Sequence, residues 1–118
     1  MGIPVPVVLA SGPLQIKLEA KIDTGADLCF FNSSYAEALG LELRQGIHKA
    51  ISTPTGHSFH PYGHTLSLTT FGFTFDEAIV YFAEGLHRNV LGRRGWLDQL
   101  RLGLVDYDQV LYLSRYDD

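Results

Sequence analysis

From Leu14 to Ile22, apolar Leu14, Ile16, Leu18, Ala20 and Ile22 alternate with polar Gln15, Lys17, Glu19 and Lys21. Nine residues at period two make a strand with one dry and one wet face, a pattern that no helix can satisfy. Such a strand needs neighbours, and the rest of the chain offers them. Val5 to Ala10 is expected as a strand, joined to the first through the turn Ser11-Gly12-Pro13. Leu41 to Leu43 and Ile47 to Ser52 are expected as strands, and Thr53-Pro54-Thr55-Gly56 then gives a strong turn signal. His57 to Tyr62 completes a hairpin about that turn. Leu66 to Thr70 alternates, Phe71-Gly72 turns into Phe73 to Phe75, and Ala78 to Phe82 has the look of a buried strand. Leu102 to Val105 and Val110 to Leu113 bracket a last hairpin. Helical signals are few: Tyr35 to Leu39, opened by the N-cap candidates Asn32-Ser33-Ser34 and ended by Gly40, and a short stretch near Gly95 to Leu100. The expected fold is mainly all-β, with one or two short helices.

Composition sets the scale. At 118 residues the chain falls below the ~150 used as a prior for one domain, so a single domain over residues 1–118 is expected. Hydrophobic residues at 46% are enough for a core, and the modest 19% of charged residues excludes a disordered chain. The lone cysteine, Cys29, cannot form an intrachain disulfide; in its apolar run it is expected as a buried, inert thiol. A formal charge of −4 gives no electrostatic reason to bind nucleic acid. No run approaches the ~18 apolar residues of a membrane span. No targeting segment is visible: Val5 to Ala10 is short and lacks a basic leader. A soluble chain is expected, either cytoplasmic or cut from a longer precursor.

The alternation stops at Asp23-Thr24-Gly25-Ala26. On average residue usage a D-[T/S]-G-[A/S] match arises by chance in roughly one chain of this length in a hundred. Two further features accompany it. Val90-Leu91-Gly92 is a hydrophobic-hydrophobic-Gly element, with Gly92 lying 69 residues beyond Asp23, and Arg93 follows directly. Asp27 lies two residues past Gly25. Together these resemble the retropepsin-like, single-lobed aspartic proteases, and the resemblance covers about Leu14 to Leu113. It is nearer to cellular and bacterial members than to viral ones, because a helical segment follows the catalytic loop. The resemblance implies a closed, barrel-like acid-protease lobe with a flap hairpin between the two motifs.

The chemistry can be stated independently. Hydrolysing a peptide without a metal or a covalent intermediate needs a base to activate water and an acid to protonate the carbonyl oxygen. Two carboxylates held close together cannot both ionise, so they share one proton and offer both roles. This chain carries one Asp-Thr-Gly and no second copy. The simplest completion is a C2 homodimer that sets Asp23 against its symmetry mate, with the cleft across the axis. Partners are then a second copy of the chain and a protein or peptide substrate; no cofactor and no metal are called for.

The resemblance implies roles residue by residue. Asp23 is the general acid and base, and the Thr24 hydroxyl bonds across the dimer. Gly25 allows a tight turn and close approach of substrate, and Gly25, Ala26 and Asp27 line the bound peptide. Asp27 and Arg93 pair as an ion bridge that steadies the loop. Thr53, Pro54, Thr55 and Gly56 form the flap tip that closes over the peptide. Val90, Leu91 and Gly92 pack behind the loop. Pro54 departs from a Gly-rich tip and points to a stiffer flap with fewer backbone donors. Ala26 has no hydroxyl to donate to an ionised carboxylate, which points to an optimum at mildly rather than strongly acidic pH.

Two other readings stay open on sequence: a non-catalytic peptide-binding or dimerisation module that keeps the fold, and a small β module in which Asp-Thr-Gly is only a turn. Weaker signals carry less. His57, His60 and His64 make an H-x2-H-x3-H string, but in an extended chain His57 and His60 face opposite sides and His60 and His64 lie roughly 13 Å apart. They are expected as exposed flap histidines rather than zinc ligands. Asn32-Ser33-Ser34 matches a glycosylation sequon, which means little without secretion.

Overall fold

The computed structural model describes residues 3–23, 25–52, 58–92, 100–105 and 110–115. Strands β1 (Ile3–Ser11) and β2 (Leu14–Ile22) form an antiparallel hairpin in continuous register, from Ile3 opposite Ile22 to Ser11 opposite Leu14. The period-two segment and β2 have the same bounds. Ala20 and Ile22 are buried, Ile16 and Leu18 pack partly buried against the core, and Leu14 is 46% exposed, so the strand enters the interior progressively. Gly12 holds the first turn position at a φ of 57°, where a side chain would be strained.

In β1, Val5, Val7 and Leu9 point inward. Pro4 and Pro6 are exposed, and β7 (Tyr62–Thr70) pairs with β1 only along Val8 to Ala10. The prolines therefore sit beyond that pairing, where a missing N–H costs no ladder bond. The buried Thr70 hydroxyl donates to the Pro6 carbonyl at 2.8 Å, which satisfies both groups.

The remaining strands are β3 (Phe30–Asn32), β4 (Ile47–His48), β5 (Ile51–Ser52), β6 (Ser58–Phe59), β8 (Phe73–Ala83), β9 (Val90–Leu91), β10 (Leu100–Val105) and β11 (Val110–Arg115). Seven strands form one sheet in the order β1-β2-β9-β3-β8-β7-β4, with an additional pairing between β1 and β7. Leu9, Phe31, Leu68, Val80, Phe82 and Leu91 fill the interior and are fully buried. Each contributes roughly 1.5–3 kcal/mol relative to exposure. The terminal hairpin expected around positions 106–109 is present as β10–β11, in register from Leu100 opposite Arg115 to Val105 opposite Val110.

Four expectations need correction. Phe73 to Phe75 and Ala78 to Phe82 are one strand, β8, interrupted by a register shift opposite Leu66 to Leu68. The consecutive exposed residues Asp76 and Glu77 mark a bulge that lets Phe75 and Ala78 both face inward. Leu41 to Leu43 is not a strand. Helix α1 (Ser33–Ala38) starts two residues before the expected Tyr35, capped by the Asn32 side chain, which accepts from the Ser34 amide at 2.9 Å. It ends in a Schellman turn: Gly40 at a φ of 72° donates to Glu37, and Leu41 donates to Ala36. The chain then winds into a 3-10 turn at Leu43–Gln45. Ile47 to Ser52 is split into β4 and β5 by Lys49 and Ala50. Of the helical stretch expected near Gly95 to Leu100, all but Leu100, the first residue of β10, lies outside the described residues.

Candidate active site

Asp23 directly follows β2, and its position is set by a strand far away in sequence. β9 lies between β2 and β3, parallel to β2 and antiparallel to β3. The Asp23 amide donates to the Leu91 carbonyl at 3.0 Å, and Lys21 donates to Asn89 at 2.8 Å. The chain from Asp23 to Cys29 must therefore arch over the end of β9 to reach β3. Its far side is anchored where the Tyr81 amide donates to the Cys29 carbonyl at 2.9 Å.

The arch is tight because of Gly92. A Cβ built there would overlap the Leu28 carbonyl oxygen and lie 2.8 Å from that of Ala26. The hydrophobic-hydrophobic-Gly element thus packs behind the Asp23 loop, with Val90 half-buried and Leu91 and Gly92 fully buried. The Cys29 thiol is buried and points toward the Gly92 carbonyl at 4.0 Å, in keeping with its expected burial.

Within the loop the Ala26 amide donates to the Asp23 carbonyl at 3.0 Å. The Gly25 amide donates to Asp23 Oδ1 at 2.9 Å, which fixes the carboxylate plane. Asp23 is half-buried. A Cβ at Gly25 would stand 3.3 Å from Asp23 Oδ1 and press on the carboxylate.

Asp27 and Leu28 leave the loop and, with Phe30, form one wall of a groove of about 430 Å³; Lys49, Ala50 and Ile51 form the other. The second wall belongs to the base of the hairpin β5–β6, in which Ile51 faces Phe59 and Ser52 faces Ser58. Phe30 meets Phe59 edge-on at 5.7 Å, tying this hairpin to the strand that leaves the loop. Lys49 lies over the Tyr81 ring at 5.8 Å. Thr24, the tip residues Thr53, Pro54, Thr55 and Gly56, and Arg93 lie outside the described residues, and with them the Asp27–Arg93 bridge.

Of the histidine string, His57 lies outside the described residues, and His60 and His64 turn to different partners. His64 Nε2 bonds to the Leu43 carbonyl at 3.0 Å, whereas His60 turns to His48. Among the described residues no three potential ligands converge as a metal site. Asn89 is a residue that motif reading misses. Its amide donates to Glu19 at 2.9 Å and its Oδ1 accepts from the Asn32 amide at 3.4 Å, bridging β2 and β3 beside β9. Its place one residue before Val90-Leu91-Gly92 was the available signal.

An Asp-Thr-Gly-Ala loop arched over a buried strand that ends in glycine, facing a hairpin across a groove, defines the class of acid-protease lobes. Comparison with known proteins agrees. The family model described as aspartyl protease matches residues 5–94, most of the chain, and the chain belongs to that family. Its fold is similar to that of a retropepsin-like aspartic protease from Rickettsia conorii, with a TM-score of 0.72 and 18% identity over 96% of this chain and 89% of that one. No curated protein matches the sequence. The fold is thus that of a retropepsin-like single lobe, and among the described residues no helix is long and apolar enough to cross a membrane.

Proposed function

We propose that this chain is a single-domain aspartic endopeptidase that works as a homodimer on extended peptide segments. The observation that carries the reading is the Asp23 carboxylate, oriented by the Gly25 amide on a loop braced by Gly92. One lobe brings one such carboxylate. A C2 pair brings two to the axis, where they share a proton. The ionised member takes a proton from water as that water attacks the scissile carbonyl carbon. The protonated member gives its proton to the carbonyl oxygen; the tetrahedral intermediate then collapses as the carboxyl that took the water's proton passes it to the leaving nitrogen and the other carboxylate takes a proton back from a hydroxyl, which releases the amine and the acid.

A peptide in the cleft lies extended and adds main-chain bonds beneath the hairpin, whose tip Thr53 to Gly56 acts as the flap. The groove between Leu28, Phe30 and Ile51 takes a substrate side chain. Thr24 locks the two loops across the dimer, and Asp27 with Arg93 steadies each one.

Peptide-library cleavage by wild type and Asp23→Asn, with sedimentation alongside, tests this. The expected result is cleavage by a wild-type dimer and its loss in the variant. Equal cleavage by both proteins would refute the assignment, and full activity in a strict monomer would refute the dyad. A peptide that binds uncleaved would favour a non-catalytic module.

A further inference from the structure

His48 ends β4 and His60 follows β6, so the two stand on opposite shoulders of the hairpin read above as the flap. His48 Nε2 and His60 Nδ1 are 3.0 Å apart. The rings are stacked, with centroids 5.2 Å apart and planes 15° from parallel. Between the same shoulders the Lys49 amide donates to the Pro61 carbonyl at 3.0 Å. Both imidazoles are exposed, so protons reach them from solvent.

We propose that His48 and His60 are positioning residues, a clasp that holds the base of the flap while they share a hydrogen bond and lets go when both carry a full complement of protons. The proposal rests on reading the hairpin as a flap. Its chemistry follows from the donor inventory of imidazole. A neutral ring has one N–H and one bare nitrogen, so two neutral rings, or one neutral and one charged, can share a proton between Nε2 and Nδ1. Two imidazolium rings cannot. Both facing nitrogens are then donors, and two like charges stand side by side.

The surroundings neither neutralise nor imitate that change. The Tyr62 ring on β7 packs against His48 at 5.1 Å. Its hydroxyl accepts from Arg44 at 3.3 Å, and the Arg44 guanidinium faces Glu84 at 3.7 Å. The nearby charges of Arg44 and Glu84 thus offset each other, both largely in water. Lys49, the next residue, directs its ammonium to Tyr81.

The test is amide exchange at Lys49, corrected for the intrinsic rate, from about pH 8 to about pH 4. An Asp23→Asn background removes self-cleavage and separates the readout from catalysis. Protection is expected to fall roughly three- to ten-fold on acidification, the worth of one partly exposed hydrogen bond. His60→Asn keeps a donor and an acceptor facing His48 whatever its charge, so protection should stay high without a step. His48→Phe keeps an aromatic ring at this place and loses the bond, so protection should be low throughout. A flat wild-type profile, or an unchanged step in His48→Phe, would overturn the clasp. Wild-type peptide cleavage is measured in parallel: its absence strikes the enzyme reading alone, and cleavage with flat exchange strikes the clasp alone.

Discussion

Replacing Gly92 by alanine adds one methyl group against a wall made of backbone. The φ of Gly92 is not positive, so the change carries no intrinsic backbone strain and its whole effect is steric. The new Cβ would lie 2.8 Å from the Ala26 oxygen and 2.7 Å from the Leu28 carbonyl carbon, and would overlap the Leu28 oxygen. Ordinary carbon-to-oxygen contact begins at about 3.3 Å. The loop must therefore lift by about half an ångström at Ala26 and by more at Leu28, carrying Asp23 with it. Overpacking of this kind costs roughly 1–3 kcal/mol. At about 4 °C per kcal/mol for a chain of this size, the Tm should fall by roughly 4–12 °C. Activity should suffer more than stability, because a displacement near 1 Å at a reacting group can cost ~100-fold, and a dimer displaces two loops. Calorimetry and kcat/KM, the latter measured well below the variant's Tm, separate the two effects. A variant that melts within ~1 °C of wild type and cleaves within twofold of it would refute the brace.

Two further outcomes can be checked with single substitutions. Phe71 takes a φ of 53° beside Gly72 at 79° in the β7–β8 turn and is 45% exposed, so Phe71→Asn should relieve left-handed strain and raise stability by about 1 kcal/mol in a denaturant titration. Ala26 supplies no hydroxyl to the Asp23 loop, so the pH–rate profile should peak at mildly acidic pH. In Ala26→Ser an added donor to the ionised carboxylate should move the acid limb to lower pH. A wild-type rate still rising below about pH 3 would refute this.

Much of the lobe was legible wherever one face of a strand is dry and the other wet. β2 has the bounds of its alternation because a one-residue slip would turn Ala20 and Ile22 out to water. β8 was harder, since the bulge at Asp76 and Glu77 breaks the period that the eye follows. Leu41 to Leu43 carry apolar residues at strand spacing, yet the Schellman turn directs them into a 3-10 turn against the core. At the site the Asp23 and Gly92 motifs were legible because their chemistry demands particular residues. The histidine clasp was not, because it arises from register. The pairing of His48 with Tyr62 continues that of Ile51 with Phe59 about the same centre at position 55, and so brings His48 and His60 to diagonal positions.

The placement of β9 has a consequence for the order in which this chain can acquire its site. Asp23 is made before the strand that holds it: the carbonyl that accepts from its amide belongs to Leu91. At roughly 5–20 residues per second, the 67 residues between them take several seconds to add. Until then the arch from Asp23 to Cys29 has nothing to span. Closing so long a loop is slow, as it is for any non-local pairing. A nascent or truncated chain ending before Leu91 would carry the Asp-Thr-Gly signature without the strand over which its loop arches, so the site proposed for hydrolysis cannot form until Leu91 has been added.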